Sequence, residues 1–441
     1  MPIDPDTLAR RRRAFMEHIG PAAAAMFPAA PVAVRSHDVE YRYRPDNDFY
    51  YLTGFAEAEA VCLLLPGQDK GEEFVLFVPP RDVERETWTG KRAGVEGAIE
   101  SYGADVAYPI DKLDEKIHEY VAPRERLYCP IGRNAAFTQR VMAWLQHWQS
   151  QRPRTGRGPT AVLDPGEIVH EMRLFKSPEE LVAMRRAIAI AADAHIAAMR
   201  AAKPGVHEYE IEALLDYTFR RLGGWGPAYP SIVASGANAT ILHYTTNNRA
   251  MAEDELLLID AGAEFDGYCA DITRTYPVAM SFSQRQRDIY DLVLRAQIAA
   301  IEMIRPGVRF DEVHHCAVRV LVDGLVSLGV MAGNPSEIIE KELYKPFYMH
   351  RTSHWLGLDV HDVGKYKISG ESRQLEPGMV LTVEPGIYVG NQVEHVDDRW
   401  RGIGVRIEDD VLVTADGHEV LSATIPKTIE EITAARRSAA A

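Results

Sequence analysis

The stretch LLLIDAGAEFDGYCADITRT, residues 256–275, decides how the second half of the chain folds. Its apolar run ends in Asp260, and Asp266-Gly267 is a residue pair that favours a tight hairpin turn. Such a hairpin would bring Asp260 and Asp271 near each other. Two unpaired carboxylates at close range are costly, and a bound cation is one way to remove that cost. The stretch therefore predicts a hairpin that carries a metal site.

Two further acids follow apolar, strand-like runs. Residues 379–383 (MVLTV) lead to Glu384, and residues 403–407 (IGVRI) lead to Glu408. Pro385 has no N–H for a strand ladder, so the first of these strands should stop with Glu384 at its tip. Both acids are therefore expected at strand ends.

Three histidines lie within the segment 349–361. On a helix, the spacings of four and seven would place His350, His354 and His361 on one face, whereas on a strand His361 would face away from the other two. Gly357 disfavours a long helix, so the spacing leaves the geometry open. The clustering itself indicates a functional site.

The acids and one histidine form a candidate metal-binding set of four carboxylates and one imidazole. Oxygen donors with a single nitrogen suit Mn²⁺, with Co²⁺, Zn²⁺ or Fe²⁺ as alternatives, better than a structural zinc. Four carboxylates are too many for one catalytic ion and suit two metals roughly 3.5–4 Å apart. The set is Asp260, Asp271, His354, Glu384 and Glu408.

Composition argues against several other classes of protein. The chain has 441 residues, 49 Lys and Arg against 64 Asp and Glu, and a formal net charge of −15. That balance disfavours nucleic acid or an anionic membrane as the main partner. No apolar run approaches the roughly 18 residues of a membrane span. The four scattered cysteines match neither a disulfide scaffold nor a zinc finger, and we expect core residues in a cytoplasmic protein.

The first part of the chain, residues 1–170, alternates strand-like and helix-like runs. Residues 60–65 and 74–78 are short apolar runs bounded by turn signals, and helical patterns cover residues 110–120 and 134–148. This alternation predicts an α/β domain.

The N-terminal end has Leu8, Phe15 and Ile19 at helical spacing. The arginine run at residues 10–13 is therefore predicted to be the solvent face of an amphipathic helix. It is not read as the basic region of a signal peptide, because no apolar segment follows it.

The second part, residues 171–441, is predicted to begin after a polar linker at residues 151–160, with the boundary between about 165 and 176. A capping box at Ser177 and Glu180 should start a long helix that reaches about Ala202.

A weak internal repeat follows. Residues 203–206 (KPGV) correspond to residues 305–308 (RPGV), and each lies between two helical patterns and before strand-like segments. The repeat is either ordinary helix–loop–helix punctuation or a duplicated helix–helix–sheet unit with a pseudo-twofold axis. A duplication would place a site at the seam, with ligands from both halves.

Four motifs of the second part occur together: DAGAEFDGYCADITRT at 260–275, HRTSHWLGLDVHD at 350–362, EPGIY at 384–388 and RIEDD at 406–410. Together they resemble the pita-bread metallopeptidases, most closely the aminopeptidase P and prolidase branch of Xaa-Pro peptidases. In the first part, NDFYYLTGF at 47–55 and WTGKR at 88–92 resemble the N-terminal domain of bacterial aminopeptidase P. The resemblance implies a creatinase-like α/β N-terminal domain and an α+β pita-bread catalytic domain, in a homo-dimer or homo-tetramer.

The resemblance also implies a role for each matching metal ligand. Asp260 and Asp271 would bind one metal, Asp271 and Glu408 would bridge both, and His354 and Glu384 would complete the other. Glu384 would also accept the proton of the attacking water.

For the substrate, the resemblance implies that His243 and His361 flank the scissile carbonyl and that His350 lines the pocket for the proline ring. At the residue after His350, where the family commonly has a small residue, usually glycine, this chain has Arg351. The shape and charge of the pocket are expected to differ there. The other candidate substrate contacts are Tyr229, Tyr388 and Arg406.

The implied activity is removal of the first residue from peptides with proline second. The bond before proline lacks an N–H, so proteases that grip that group handle it poorly, whereas a dimetal site needs no such grip. A prolidase is the alternative, with Arg351 or Arg373 receiving the substrate's C-terminal carboxylate. An inactive peptide-binding module and a metal-free creatinase-like amidinohydrolase are the remaining alternatives.

Overall fold

The computed structural model describes residues 3–68 and 71–437. The chain divides into two compact units, Met1–Arg173 and Leu174–Ala441, named below the N-terminal and the C-terminal unit. Among the described residues, no helix is both long and apolar enough to cross a membrane.

The N-terminal unit is an α/β structure, as predicted. The helices are α1 Pro5–Ile19, α2 Asn47–Thr53, α3 Val83–Thr89, α4 Gly94–Glu100, α5 Leu113–Val121, α6 Ala135–Thr155 and α7 Gly166–Leu174. The strands are β1 Ala23–Pro28, β2 Val34–Ser36, β3 Val39–Glu40, β4 Val61–Leu64, β5 Phe74–Val78, β6 Val106–Pro109, β7 Arg126–Tyr128 and β8 Ala161–Leu163.

Six of these strands form one mixed sheet in the order β6-β5-β4-β1-β7-β8. Every residue of β4 and β5 is buried, which explains why both read as continuous apolar runs rather than as an alternation. Side chains of α5 and α6, among them Leu113, Ile117, Val141 and Trp144, pack on one face of this sheet.

The prediction that the arginines of α1 all face solvent is wrong for two of them. Arg11 and Arg12 are buried, at 6% exposure each. Arg11 donates to the Tyr51 carbonyl oxygen and stacks over the Tyr51 ring, while Arg12 donates to the Leu52 carbonyl oxygen. The end of α2 thus supplies acceptors and a π-face that satisfy both guanidinium groups.

The predicted linker at residues 151–160 is also wrong in its first half. Helix α6 continues through Pro153 to Thr155 and ends at Gly156, whose φ of 66° suits a left-handed cap. Strand β8 then joins the same sheet beside β7. The polar segment therefore lies within the N-terminal unit and does not connect two units.

The C-terminal unit contains the predicted catalytic motifs. Its helices are α8 Pro178–Ala201, α9 Glu208–Arg221, α10 Gln284–Glu302, α11 Phe310–Ser327, α12 Pro335–Glu340 and α13 Ile429–Arg437. Its strands are β9 Gly226–Pro227, β10 Ile232–Ser235, β11 Leu256–Asp260, β12 Ala263–Phe265, β13 Tyr268–Cys269, β14 Thr273–Pro277, β15 Lys367–Ile368, β16 Glu371–Ser372, β17 Val380–Val383, β18 Gly386–Val389, β19 Ile403–Arg406, β20 Asp409–Val413 and β21 His418–Val420.

Helix α8 confirms the predicted capping box. The Ser177 hydroxyl accepts from the Glu180 N–H, and the Glu180 carboxylate accepts from the Ser177 N–H. Helices α8 to α11 share one apolar core with strand β11 through residues such as Ile188, Ile211 and Ile259. Strand β11 lies between β10 and β14, and β20 lies between β17 and β21. The ends of these strands carry the four predicted carboxylate ligands.

The cysteines are free, and Cys62, Cys129 and Cys269 are buried as expected, with Cys316 half-buried.

Candidate metal centre

The hairpin predicted around Asp266-Gly267 is present. Both residues have positive φ, 49° and 83°, as the tight turn requires, and β12 pairs with β13 on either side of it. Strand β11 pairs separately with β14, which places Asp260 opposite Thr273. The chain thus leaves β11 at Asp260 and returns at Asp271, with both carboxylates at the same sheet end.

The Tyr229 hydroxyl joins these two acids. Its oxygen lies 2.6 Å from Asp260 Oδ1 and 2.5 Å from Asp271 Oδ1. A phenol has only one proton to donate, so the two carboxylates need a further proton or a cation between them. Burial and the charges of Asp260 and Asp271 raise the pKa of Tyr229 well above its usual value.

The second pair of acids lies at strand ends, as predicted. Glu384 follows β17, and its N–H donates to the Thr352 carbonyl oxygen. Glu408 lies between β19 and β20 and accepts the Thr273 hydroxyl at 2.6 Å. Pro385 ends β17, and the chain re-enters a different sheet at β18.

His354 points one ring nitrogen at this group of acids. Its Nε2 lies 3.2 Å from Asp271 Oδ2 and 3.6 Å from Glu384 Oε1, while Nδ1 is 2.9 Å from the Trp355 carbonyl oxygen. A carbonyl partner at Nδ1 holds a proton there and leaves Nε2 as the ligand atom. One ligand atom each from Asp271, His354 and Glu408 lies within 4.8 Å of the others.

Electrostatics favour a cation at this point. Burial raises the pKa of Glu408 well above its usual value, and the charges of Asp271, Glu384 and Asp260 raise it further. Burial also raises the pKa of Glu384, to about 7, despite the opposing effect of His354. Burial alone would lower the pKa of His354, but its contact with Asp271 raises it to about 9. A divalent metal would replace these shared protons, so the donor set fits one.

Arg406, Tyr388 and His350 form a hydrogen-bonded chain beside the acids. Arg406 donates to Asp260 Oδ2 at 2.6 Å and to the Tyr388 hydroxyl at 3.0 Å, and that hydroxyl lies 2.8 Å from His350 Nε2. Burial and the charge of Arg406 lower the pKa of His350 to about 3, so the ring is neutral. The guanidinium fixes Asp260, and the phenol fixes His350.

A cavity of about 960 Å³ opens onto these groups. Tyr388 is absent from its lining and stands behind His350 and Arg406. The rings of His354 and His361 are 4.5 Å apart, and burial and the charge of His354 lower the pKa of His361. The predicted residues that line the cavity are Tyr229, His243, Asp260, Asp271, His350, His354, His361, Glu384, Arg406 and Glu408.

Sequence reasoning missed residues that hold the ligands. Thr273 donates to Glu408 and accepts from Arg406 Nε, and Asp410 Oδ2 accepts from the Asp271 N–H. Thr273 lies in the motif DITRT and Asp410 in the motif RIEDD. Each is two residues from a predicted ligand, and this closeness could have identified them. Glu208 accepts hydrogen bonds from Ser235 and Tyr244 and so anchors the loop that carries His243. It gave no such signal, because an acid in the first turn of a helix is an ordinary dipole partner.

Comparison with known proteins agrees with a metal-binding site in the C-terminal unit. Residues 182–415 match the model of Metallopeptidase family M24, and residues 8–128 match that of the Aminopeptidase P N-terminal domain. The chain is 44% identical to the Xaa-Pro aminopeptidase of Escherichia coli (strain K12) over 425 residues, with 96% of each chain covered. It is 41% identical to that of Haemophilus influenzae, over 96% of this chain and 95% of the relative.

Solved structures that match over 100% of both chains include the following two. The aminopeptidase PepP of Pseudomonas aeruginosa has a TM-score of 0.97 and 49% identity. The Escherichia coli aminopeptidase P solved with substrate has a TM-score of 0.96 and 43% identity.

The chain therefore belongs to metallopeptidase family M24, with an aminopeptidase P N-terminal domain preceding the pita-bread catalytic domain. It is a hydrolase, and the predicted resemblance to the aminopeptidase P branch is confirmed.

Proposed function

We propose that this chain is a metal-dependent Xaa-Pro aminopeptidase, which hydrolyses the bond between the first residue of a peptide and a proline in second position. The convergence of four carboxylates and one imidazole on a single cavity carries the proposal. Relatives named Xaa-Pro aminopeptidase, at 41–44% identity over nearly the whole chain, support it.

We propose two divalent ions, most simply Mn²⁺, with Co²⁺, Zn²⁺ or Fe²⁺ as alternatives. Asp260 and Asp271 would hold one ion, His354 and Glu384 the other, and Asp271 and Glu408 would bridge them. When bound, the metals lower the pKa of a water and polarise the scissile carbonyl.

The protein's own groups would do the remaining work. Glu384, half-buried beside His354 in the cavity lining, would accept the proton of the water. His243 and His361 would donate to the oxygen on which negative charge develops. The neutral ring of His350 and the apolar wall near Ile232 and Leu242 would receive the proline ring.

Tyr229 and Arg406 orient the acids, and Tyr388 acts behind the cavity wall. Arg406 holds Asp260 in place by a direct ion pair and opposes the rise that burial causes in the pKa of Asp260. Tyr388 fixes the ring of His350. We therefore assign Tyr388 and Arg406 to positioning, while Arg406 and Tyr229 also line the cavity that would receive the substrate.

A prolidase, which accepts only Xaa-Pro dipeptides, is the second candidate because Arg351 lines the cavity. Incubation of the Mn²⁺-loaded protein with Ala-Pro and Ala-Pro-Ala, followed by chromatography, discriminates the two. We expect alanine release from the tripeptide. Release from the dipeptide alone would reverse the assignment to prolidase, and failure to bind any divalent metal by calorimetry would revive the inactive binding module.

Further proposals concern the organisation of the chain. Residues 1–170 and 171–441 are the two domains. The C-terminal unit is proposed to be a duplication. His207 forms an isolated antiparallel β-bridge with Ala250, and Arg309 forms one with Gln374. His207 and Arg309 are 102 residues apart, and each directly precedes a helix. Superposing the two halves of an experimental structure would test this.

We also propose cytoplasmic residence, on the ground of four free cysteines, and a homo-dimer or homo-tetramer. Trp88, 86% exposed, is a candidate subunit contact. Deletion of residues 81–95 followed by sizing chromatography would reject that contact if the size were unchanged.

A further inference from the structure

Arg351 lies in the wall of the cavity between two residues that are held rigidly. On one side His350 is fixed by the Tyr388 hydroxyl at 2.8 Å. On the other, the Thr352 hydroxyl lies 2.8 Å from His314 Nδ1 and 2.6 Å from the Tyr348 hydroxyl. The backbone at residue 351 is therefore anchored, while its side chain is exposed to the cavity.

The guanidinium of Arg351 makes no hydrogen bond or ion pair within residues 3–68 and 71–437. Glu342 is close enough to feel its charge, but the Glu342 carboxylate is engaged by Lys345. The described cavity lining contains three arginine or lysine residues: Arg351, Lys367 and Arg406. Of these, Arg406 forms an ion pair with Asp260. Arg351 and Lys367 thus offer the cavity positive charge that no residue of the described ranges pairs.

The acids of the cavity do not cancel this charge. Outside the metal-binding set, Asp311 is the acidic residue in the described lining, against Arg351 and Lys367. His314 adds no charge, because burial and the charge of Arg351 lower its pKa to about 4. His315 also lines this part of the wall. The balance near residue 351 is positive.

We propose that Arg351 is a specificity-determining residue that binds a carboxylate lying C-terminal to the proline of the substrate. The inference rests on the proposed function. Arg351 follows His350 directly, on the side where the proline ring is proposed to lie, so the residues after proline would pass it. A planar guanidinium pairs with a carboxylate through two parallel hydrogen bonds, which a glycine at this position would not offer. The carboxylate is either the C-terminus of a tripeptide or an acidic side chain in third position.

Arg373, the other arginine with a suggested carboxylate-binding role, is differently placed. It is buried, packs over Phe175 at 5.5 Å and pairs with Glu376 at 3.2 Å. It is not part of the cavity lining. Arg351 is therefore the arginine to test.

The test measures kcat/KM of the metal-loaded full chain for two matched pairs of peptides. Ala-Pro-Ala and its C-terminal amide vary the terminal carboxylate, and the amides of Ala-Pro-Glu and Ala-Pro-Gln vary the side chain. We expect the wild-type protein to prefer the charged member of at least one pair by roughly threefold to tenfold. The preference should shrink between low and high salt, because the pair is partly exposed.

Arg351→Gln should abolish this preference and Arg351→Glu should invert it, whereas Arg319→Gln, which removes an exposed arginine outside the cavity lining, should retain it. Each variant is judged by its own ratio of kcat/KM for the charged and the neutral peptide, so a change in its overall rate does not affect the result. Equal rates for charged and neutral peptides in the wild-type protein, or an unchanged ratio in Arg351→Gln, would overturn the inference. Lack of cleavage of every peptide would instead overturn the proposed function.

Discussion

Glu408 and Asp409 are neighbours in sequence and both are buried, yet they lie in opposite electrostatic environments. Asp409 Oδ1 pairs with Arg274 at 2.7 Å, and Oδ2 pairs with Lys427 at 2.6 Å. Ser422 and Gln297 donate to the same carboxylate. Burial alone would raise the pKa of Asp409, but Arg274 and Lys427 lower it far below its usual value.

Glu408 accepts one hydroxyl, from Thr273, and otherwise faces Asp271, Glu384 and Asp260. Burial and these like charges raise its pKa. The fold therefore places two cations in direct contact with Asp409, a buried acid that holds the structure together. At Glu408, one residue earlier, the charge of Arg406 opposes the like charges only in part, and the pKa stays raised. Perturbed, unpaired acids in a cavity indicate a functional site, and here the missing charge is that of the metals.

Replacement of Glu408 tests this contrast most strongly. Glu408→Gln should lower kcat/KM for an Xaa-Pro-Yaa tripeptide by roughly 10³-fold or more, since loss of a bridging ligand removes several kcal/mol of transition-state stabilisation. In the presence of a chelator, its free energy of unfolding should be no lower than that of the wild-type protein, because a neutral amide avoids the cost of placing a carboxyl group among Asp271, Glu384 and Asp260. Activity retained after metal reconstitution would contradict the bridging role.

Replacement of Asp409 should have the opposite profile. Asp409→Asn leaves Arg274, which is completely buried, without its full counter-charge. Breaking a buried pair costs about 3–5 kcal/mol of unfolding free energy, which chemical denaturation would measure. The control is Glu419→Gln, which breaks an exposed pair with Arg185 and should cost at most about 1 kcal/mol. Equal losses for the two variants would show that Asp409 is not structural.

The pH dependence of stability offers a third comparison, between chelated and metal-loaded protein. The folded pKa of Glu384 is raised from 4.5 to about 7 and that of His354 from 6.5 to about 9. Raised values stabilise the fold below the unfolded pKa, and this contribution is lost as pH rises through the folded pKa. The melting temperature of the chelated form should therefore fall relative to the metal-loaded form between pH 5 and pH 9, by roughly 5 °C or more. Parallel curves from thermal denaturation in the two conditions would refute this.

The sequence predicts those parts of the fold and of the metal site whose signal is local. Asp266-Gly267 indicates the turn, Pro385 ends the strand behind Glu384, and an acid after an apolar run marks a strand end. What the local pattern lacks is the partner from another element. Tyr229 reaches Asp260 from a loop, and the pairing of Asp409 depends on residues of β14 and of the segment after β21.

The same reason explains the errors in the N-terminal unit. The arginines of α1 carry no local sign that α2 will bring carbonyl oxygens and the Tyr51 ring over them. At Pro153, the composition predicted a linker, but the segment is the last turn of α6, where one lost hydrogen bond is tolerated. The polar composition of residues 151–160 indicates an exposed segment, but it does not show where helix α6 ends.

A third buried acid, Glu208, lies between these two extremes and gives the smallest predicted effect. It is satisfied by neutral donors rather than by a close cation. Oε1 accepts from the Ser235 N–H and hydroxyl and from Asn238, and Oε2 accepts from the Tyr244 hydroxyl and the Arg249 N–H. Burial would raise the pKa of Glu208, but these hydrogen bonds lower it. One carboxylate thus ties together both ends of the loop that carries His243.

Glu208→Gln replaces an acceptor by an amide donor and leaves one set of loop donors unpaired, at a cost of about 1–3 kcal/mol. We expect kcat/KM to fall about tenfold, through kcat rather than KM, because the displaced His243 would act on charge that develops only in the transition state. Metal content measured by elemental analysis should not change, which separates this variant from Glu408→Gln. Tyr244→Phe, which removes only one donor next to His243, should show the same kcat loss to a smaller degree. A rise in KM alone, or a loss of bound metal, would mean that Glu208 does not act through His243.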